Sequence, residues 1–300
     1  MLFFSAREYY QQLCGERVFR VPVDTRASCP NLDGTIGTEG CIYCDAAHTG
    51  STLNKSDKPP ENQIMERVTQ MNLQGKKRLL LYFQNNSFTW RTAAEIDHLL
   101  EKLLELYPFY GFSIATRPDC LDAEKIKIIK KYAERYEDAW VELGLQTSDN
   151  KVLKIINRGH FYEDFRRSSF MLLSAGIKTM AHVIIGLPGA EKNQAEKDAA
   201  ELAGLGINGI KFHNIMVLRG TGIAALYQAG KFRVIDRTEY LDNLAAALSR
   251  LKPDTVIFRI SADAPSALLL APLWCLEKQK LREDLEKELK ARALFQGKYS

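Results

Sequence analysis

Along residues 17–218, runs of strand length alternate with amphipathic helical patterns, and this rhythm restricts the fold more than any other feature of the chain. The runs fall at 17–23, 78–84, 111–117, 140–146, 177–185 and 209–218. Several are nearly unbroken apolar stretches, RLLLYFQ at 78–84 among them, as expected of strands buried on both faces. Between them, 61–74, 92–106, 122–136, 149–157, 162–174 and 191–205 read as helices. In the second of these, Ile96, Leu99, Leu100, Leu103 and Leu104 share one face. Gly176 and Gly206 stand where helix C-caps belong. Strands and helices in turn predict a parallel sheet covered by helices. Six such units make an α/β partial (β/α)6 TIM-type barrel, short of a complete eight-stranded one.

Beyond Gly220 the rhythm loosens into a helix at 238–251, an extra strand at 255–261 and a charged helix at 278–293 carrying Leu281, Leu285 and Leu289. The expected organisation is a barrel over 1–220 and an extension over 221–300 that packs on it and closes its mouth. With 46% hydrophobic residues in 300, the chain can bury one large core.

The first strand leads into CPNLDGTIGTEGCIYC at 29–44, which puts Cys29, Cys41 and Cys44 on one glycine-rich loop. A C-x2-C pair aims two sulfurs at one centre, and Cys29 is brought back by the glycines between. Three thiolates would leave one iron of a four-iron cluster open, and an open position marks a catalytic metal site. His48 allows a second reading, a closed Cys3His zinc site on Cys29, Cys41, Cys44 and His48 in a non-catalytic binding protein. The strand ends separate the two. They carry Gln84-Asn85-Asn86-Ser87, Thr116-Arg117-Pro118-Asp119, Glu142 and Gln146 about Gly144, His182, and His213-Asn214. Functional residues of parallel barrels lie at such ends. A polar ring around the cysteine loop predicts a pocket for a polar cofactor, which a zinc module does not require.

No apolar stretch reaches membrane-spanning length and the N-terminus lacks a signal-peptide core, so a cytoplasmic, reducing location is expected, where thiols serve metals. Cys120 and Cys275 read as ordinary buried thiols rather than a second metal site. The net charge of +4 is mild, and the basic clusters at 76–78 and 125–131 read as solvated faces.

Taken together, CPNLDGTIGTEGCIYC, LYFQNNS, ATRPDCL, VELGLQTS, INRGH, HVIIGLPG and DAPSALLLAPLW resemble the radical S-adenosylmethionine (SAM) enzymes. The resemblance is to the YhcC-type group, related to the radical SAM domain of the elongator catalytic subunit, and it spans nearly the whole chain. It implies a [4Fe-4S] cluster on Cys29, Cys41 and Cys44, SAM on the open iron, and reductive cleavage giving a 5′-deoxyadenosyl radical. An electron donor such as flavodoxin or ferredoxin is implied as partner. The resemblance further implies Tyr43 at the adenine, Gln84 and Asn85 at the SAM amino group, and Gln146 at the ribose; His182 stands where a related enzyme has an acidic ribose ligand, so its role differs or is shared with Glu142. QNNS stands where other branches carry Gly-Gly-Glu. Gly186, with Leu187-Pro188-Gly189, would close the fifth strand near the adenine. Arg117, Asp119, Arg158, His160, His213 and Asp263 have chemistry suited to an acidic or phosphorylated partner. Arg117, Arg158, His160 and His213 are the catalytic candidates. The substrate expectation leans to RNA, with a small metabolite or a protein as the other. Trp274 is expected to cap the open end of the barrel.

Overall fold

The computed structural model describes residues 2–45 and 57–300. In chain order the elements are α1 (Ala6–Cys14), β1 (Phe19–Asp24), α2 (Pro60–Leu73), β2 (Leu79–Gln84), α3 (Ala93–Leu104), β3 (Gly111–Thr116), α4 (Ala123–Ala133) and β4 (Asp138–Gln146). There follow α5 (Asn150–Ile155), α6 (Tyr162–Ser174), β5 (Lys178–Ile185), α7 (Gln194–Leu205), β6 (Gly209–Asn214), β7 (Val217–Leu218) and α8 (Gly222–Gln228). The chain ends with α9 (Arg237–Arg250), β8 (Val256–Arg259), β9 (Leu269–Ala271) and α10 (Lys278–Ala291).

Among the described residues, seven parallel strands form one sheet in the order β1-β2-β3-β4-β5-β6-β8. Because sheet order follows chain order and such crossovers share one hand, the helices fall on one face and the sheet curls about the other. The result is a half-barrel. The partial α/β barrel expected from the sequence is therefore present, with one addition. The extra strand at 255–261 pairs with β6 and becomes the seventh stave, because α9 supplies its crossover. The segment between β6 and α9 leaves this rhythm: β7 pairs with β9 in a small antiparallel sheet, and α8 follows it.

Helix starts follow their capping chemistry. Ser5 with Glu8, Thr92 with Glu95 and Asp236 with Glu239 form capping boxes that satisfy orphan N–H groups. The main core lies between sheet and helices, where Val21, Leu81, Phe83, Phe112, Val141, Val183 and Phe212 meet helical Ile64, Leu100, Ile129, Phe165, Leu202 and Leu244.

The concave face is layered by the two-residue period of the strands. At its N-terminal end, α1 plugs the barrel. Tyr9 Oη and Tyr10 Oη donate to the buried Asp138 carboxylate at 2.8 and 2.9 Å, joined by Trp140 Nε1 and Lys178 Nζ, each at 2.8 Å. Tyr9, Trp140 and Phe258 pack edge to face above it. Trp274 packs against Tyr240 of α9 with centroids 4.9 Å apart and so does not cap the open end; Ala262 and Asp263 of the preceding segment reach that end instead. Among the described residues, no helix is long and apolar enough to cross a membrane.

Candidate active site and cysteine loop

The loop at 29–44 is folded on itself by its own backbone. Ile36 N–H donates to Pro30 O at 2.7 Å, Gly40 N–H to Asn31 O at 2.7 Å, and Cys44 N–H to Cys41 O at 2.8 Å. Gly40 has φ 71°, and a Cβ there would lie 2.7 Å from the Leu32 side chain, so this turn needs glycine. Asn157, just past α5, clamps the loop from outside. Its Nδ2 donates to Gly40 O at 2.7 Å, and its carbonyl accepts from Asn31 Nδ2 at 2.6 Å.

Cys29, Cys41 and Cys44 all line one cavity of about 430 Å³ at the C-terminal ends of the strands. Cys41 Sγ faces Asn31 Nδ2 at 3.8 Å and Arg158 Nη1 at 3.7 Å, two donors aimed at the sulfur. Burial, then the neighbouring Cys41 and Cys29, push the Cys44 thiol up to about 12. A thiol that resists ionising in this way is one whose thiolate a cationic metal centre would stabilise. Among the described residues, no three His, Cys, Asp or Glu side chains sit close enough to share one ion. Three soft thiol ligands on the wall of one cavity are a donor set whose chemistry suits an iron–sulfur cluster. His48, the fourth ligand of the zinc reading, lies outside the described residues.

Below the loop, the middle layer of the barrel is polar and centres on Glu142 of β4, which is 1% exposed. Its carboxylate accepts from Arg20 Nη1 at 2.8 Å, Ser113 Oγ at 2.6 Å, Tyr82 Oη at 3.1 Å and His182 Nε2 at 2.8 Å, and from Lys211 Nζ. Burial alone would raise the pKa of Glu142, but the Arg20 and Lys211 charges and His182 overcome it and hold it well below the glutamate range. Burial and the Arg20 charge press Lys211 downward while Glu142 opposes them. Glu142 is ionised on Arg20 alone, whose charge is permanent. Burial and Lys211 lower His182 to about 4, so it is neutral and donates Nε2–H to Glu142. Its ring stacks on His213 with centroids 5.2 Å apart.

Higher on the wall, Gln84, Asn85 and Gln146 line the cavity beside Tyr43. Asn85 and Gln146 have φ 76° and 74°, left-handed values uncommon for residues with a Cβ, and the β4–β5 register shifts between Gly144 and Gln146. Backbone of this kind concentrates at working sites. Arg117 also lines the cavity, but its Nε and Nη2 are spent on Asp119 at 2.9 and 2.7 Å and its Nη1 on Arg158 O at 2.8 Å. Arg158 donates to Gly144 O at 2.7 Å and, through Nε, to His160 Nε2 at 2.9 Å.

Two expected residues lie elsewhere. His160 sits behind Arg158 as an acceptor, and burial with the Arg158 and Arg117 charges lowers it to about 2, so it positions Arg158 as a neutral ring. Gly186 lines a separate cavity of about 470 Å³, where a Cβ would meet Ile235 at 2.9 Å. Cys120 and Cys275 are buried, Cys275 Sγ against Pro272 O at 3.1 Å. Reading from sequence missed Arg20, Asn31, Tyr82, Asn157, Lys211 and Arg259. For the strand residues, a usable signal exists: charged or phenolic side chains at every second position of otherwise apolar strands.

Comparison with known proteins decides the family. The profile of the Radical SAM superfamily matches residues 34–203, and that of the Radical_SAM C-terminal domain matches residues 207–291. The chain belongs to the radical SAM superfamily. It is 31% identical to YtqA of Bacillus subtilis over 99% of this chain and 91% of that one. It is likewise 31% identical to YhcC of Escherichia coli over 87% of this chain and 84% of that one. The fold matches that of the archaeal Methanocaldococcus infernus Elp3 with TM-score 0.70 at 20% identity, covering 93% of this chain and 64% of Elp3, so this chain spans under two thirds of that protein.

Proposed function

We propose that this radical SAM enzyme holds a [4Fe-4S] cluster on Cys29, Cys41 and Cys44 and binds SAM in the adjoining cavity. The observation that carries the reading is the meeting of three thiols, with donors aimed at Cys41, and the wall of Gln84, Asn85, Gln146 and Arg158 in one cavity. The chemistry gained with such a cluster is one electron passed to the sulfonium, breaking a C–S bond to give methionine and a 5′-deoxyadenosyl radical for hydrogen abstraction. The protein's own residues bind, orient and exclude water. Arg158, whose Nε, Nη1 and Nη2 face His160, Cys41 Sγ and Gly144 O, braces the cysteine loop and holds a positive charge beside the thiols. Tyr43, whose buried hydroxyl has no partner among the described residues, lies against the Cys41 side of the cavity and is assigned to the adenine. Glu142 and His182 hold the floor in one protonation state, with neither free to take a proton near neutral pH.

The test is anaerobic reconstitution, followed by iron analysis, visible absorbance and assay of 5′-deoxyadenosine with SAM and dithionite. About four irons per chain and 5′-deoxyadenosine formation are expected, both lost in Cys29→Ala, Cys41→Ala and Cys44→Ala. A colourless protein retaining one zinc would refute the reading.

A further inference from the structure

On the β6–β8 side, the cavity carries more positive charge than it neutralises. Arg117, Arg158, Lys211 and Arg259 all line it. The first three are engaged: Arg117 by Asp119, Arg158 by Gly144 O and His160, and Lys211 by Glu142. Arg259, at the end of β8, differs. It is exposed, and among the described residues it has neither a carboxylate partner nor a side-chain hydrogen bond. Asp263, on the same wall, is taken by Lys278 of α10 at 2.7 Å.

A second unmet group stands beside it. His213 Nε2 is buried and has no hydrogen-bond partner among the described residues. The strand register sets Arg259 next to Lys211, and His213 follows two residues on along the same face of β6. Proximity is felt electrostatically: after burial, the Arg259 charge is the main cause that keeps His213 well below the histidine range. Arg20 and Arg259 are permanently charged, while Glu142, the one carboxylate of the polar layer among the described residues, already answers Arg20. An exposed cation with no carboxylate partner among the described residues is free to pair with an incoming anion.

We propose that Arg259 and His213 form an oxyanion subsite that anchors a carboxylate or phosphate group of a small-molecule substrate. The assignment of that anion to a substrate rests on the radical SAM reading of the cavity. Arginine presents a planar fork that matches such groups with two parallel N–H donors. His213 adds a third donor in the Nε2–H tautomer. Because Arg158 belongs to the cysteine-loop wall, this anchor is available when that wall is filled.

The test uses reconstituted protein with saturating SAM, which occupies the Arg158 wall. Inorganic phosphate and succinate are titrated by calorimetry at constant ionic strength. One of them is expected to bind at one site per chain: phosphate identifies a phosphorylated substrate, succinate a carboxylate. Arg259→Gln should weaken that binding by about tenfold or more, the worth of a charge-assisted hydrogen bond, and Arg7→Gln on exposed α1 should leave it unchanged. Equal affinity in Arg259→Gln, or no binding of either anion to wild type, overturns the subsite. Binding of a short RNA that Arg259→Gln weakens, with no response to either small anion, overturns the small-molecule assignment in favour of nucleic acid. Iron content is read on the same samples. A wild type without iron would refute the cluster reading, and the titration on that protein would still decide the subsite.

Discussion

Glu142→Gln is the substitution that most directly tests the polar layer. The side chain is nearly isosteric, so packing is preserved while the negative charge that joins Arg20, Lys211 and His182 disappears. The permanent Arg20 charge is then left without its carboxylate in a site where residue 142 is 1% exposed. Removing one partner of a buried pair costs about 3–5 kcal/mol, because the survivor stays desolvated and unpaired. At about 2 °C per kcal/mol for a chain of this size, the melting temperature should fall by roughly 6–10 °C. The pH dependence has a definite sign. The folded pKa of Glu142 is depressed, so its contribution is complete above the ordinary glutamate value near about 4.3 and is lost only as pH falls through the lower folded value. The gap between wild type and variant should therefore be constant from neutral pH into mild acid and narrow in strong acid. Calorimetry at several pH values measures it. The double variant Glu142→Gln/Lys211→Met should be more stable than Glu142→Gln alone, since it removes a buried amine that has lost its carboxylate. A loss below about 1 kcal/mol, or a double variant no better than the single, would refute an ionised, bridged Glu142.

Three further outcomes are expected. His182 is held at about 4 by burial and Lys211; the unfolded chain therefore takes up the proton first, and stability is lost as pH drops from about 6.5 toward 4. His182→Gln should remove about 3 kcal/mol of that dependence in urea titrations, and an unchanged slope would count against a neutral ring. Asn31→Ala deletes the bonds to Asn157 O and Cys41 Sγ, so a chelator should strip iron from the reconstituted protein about tenfold faster; equal rates would deny the clamp. Gly144→Ala brings a Cβ within 2.5 Å of Arg158 Nη2, and SAM binding measured by equilibrium dialysis should weaken about tenfold with iron retained.

The barrel was legible because strand and helix periods differ and alternate without interruption from β2 to β6. The cysteine loop was legible because thiols on a glycine-rich turn have few other uses. The seventh strand was seen as a strand but not as part of the sheet. Residues between β6 and α9 interrupt the rhythm with β7 and α8, and pairing across such an excursion is not a local property. Lys211 and Arg20 escaped notice for a related reason. In a sheet curled upon itself neither face meets water, so the two-residue period sorts side chains between helix layer and barrel interior. A lysine within GIKFHN reads as solvent-facing until the curl is known. Asn157 could not be foreseen at all, since its role depends on a contact 117 residues away in the chain. Gly186 follows a recognisable motif, yet its carbonyl turn opens on the neighbouring cavity.

The plug made by α1, with Tyr9, Tyr10, Trp140 and Lys178 gathered on Asp138, turns the barrel into a cul-de-sac. Among the described residues this plug closes the floor, so entry and exit both lie on the side of the strands' C-terminal ends. Whatever arrives second stands between the first and the solvent. Traffic through such a dead end is ordered by geometry, and the last guest in is the first one out.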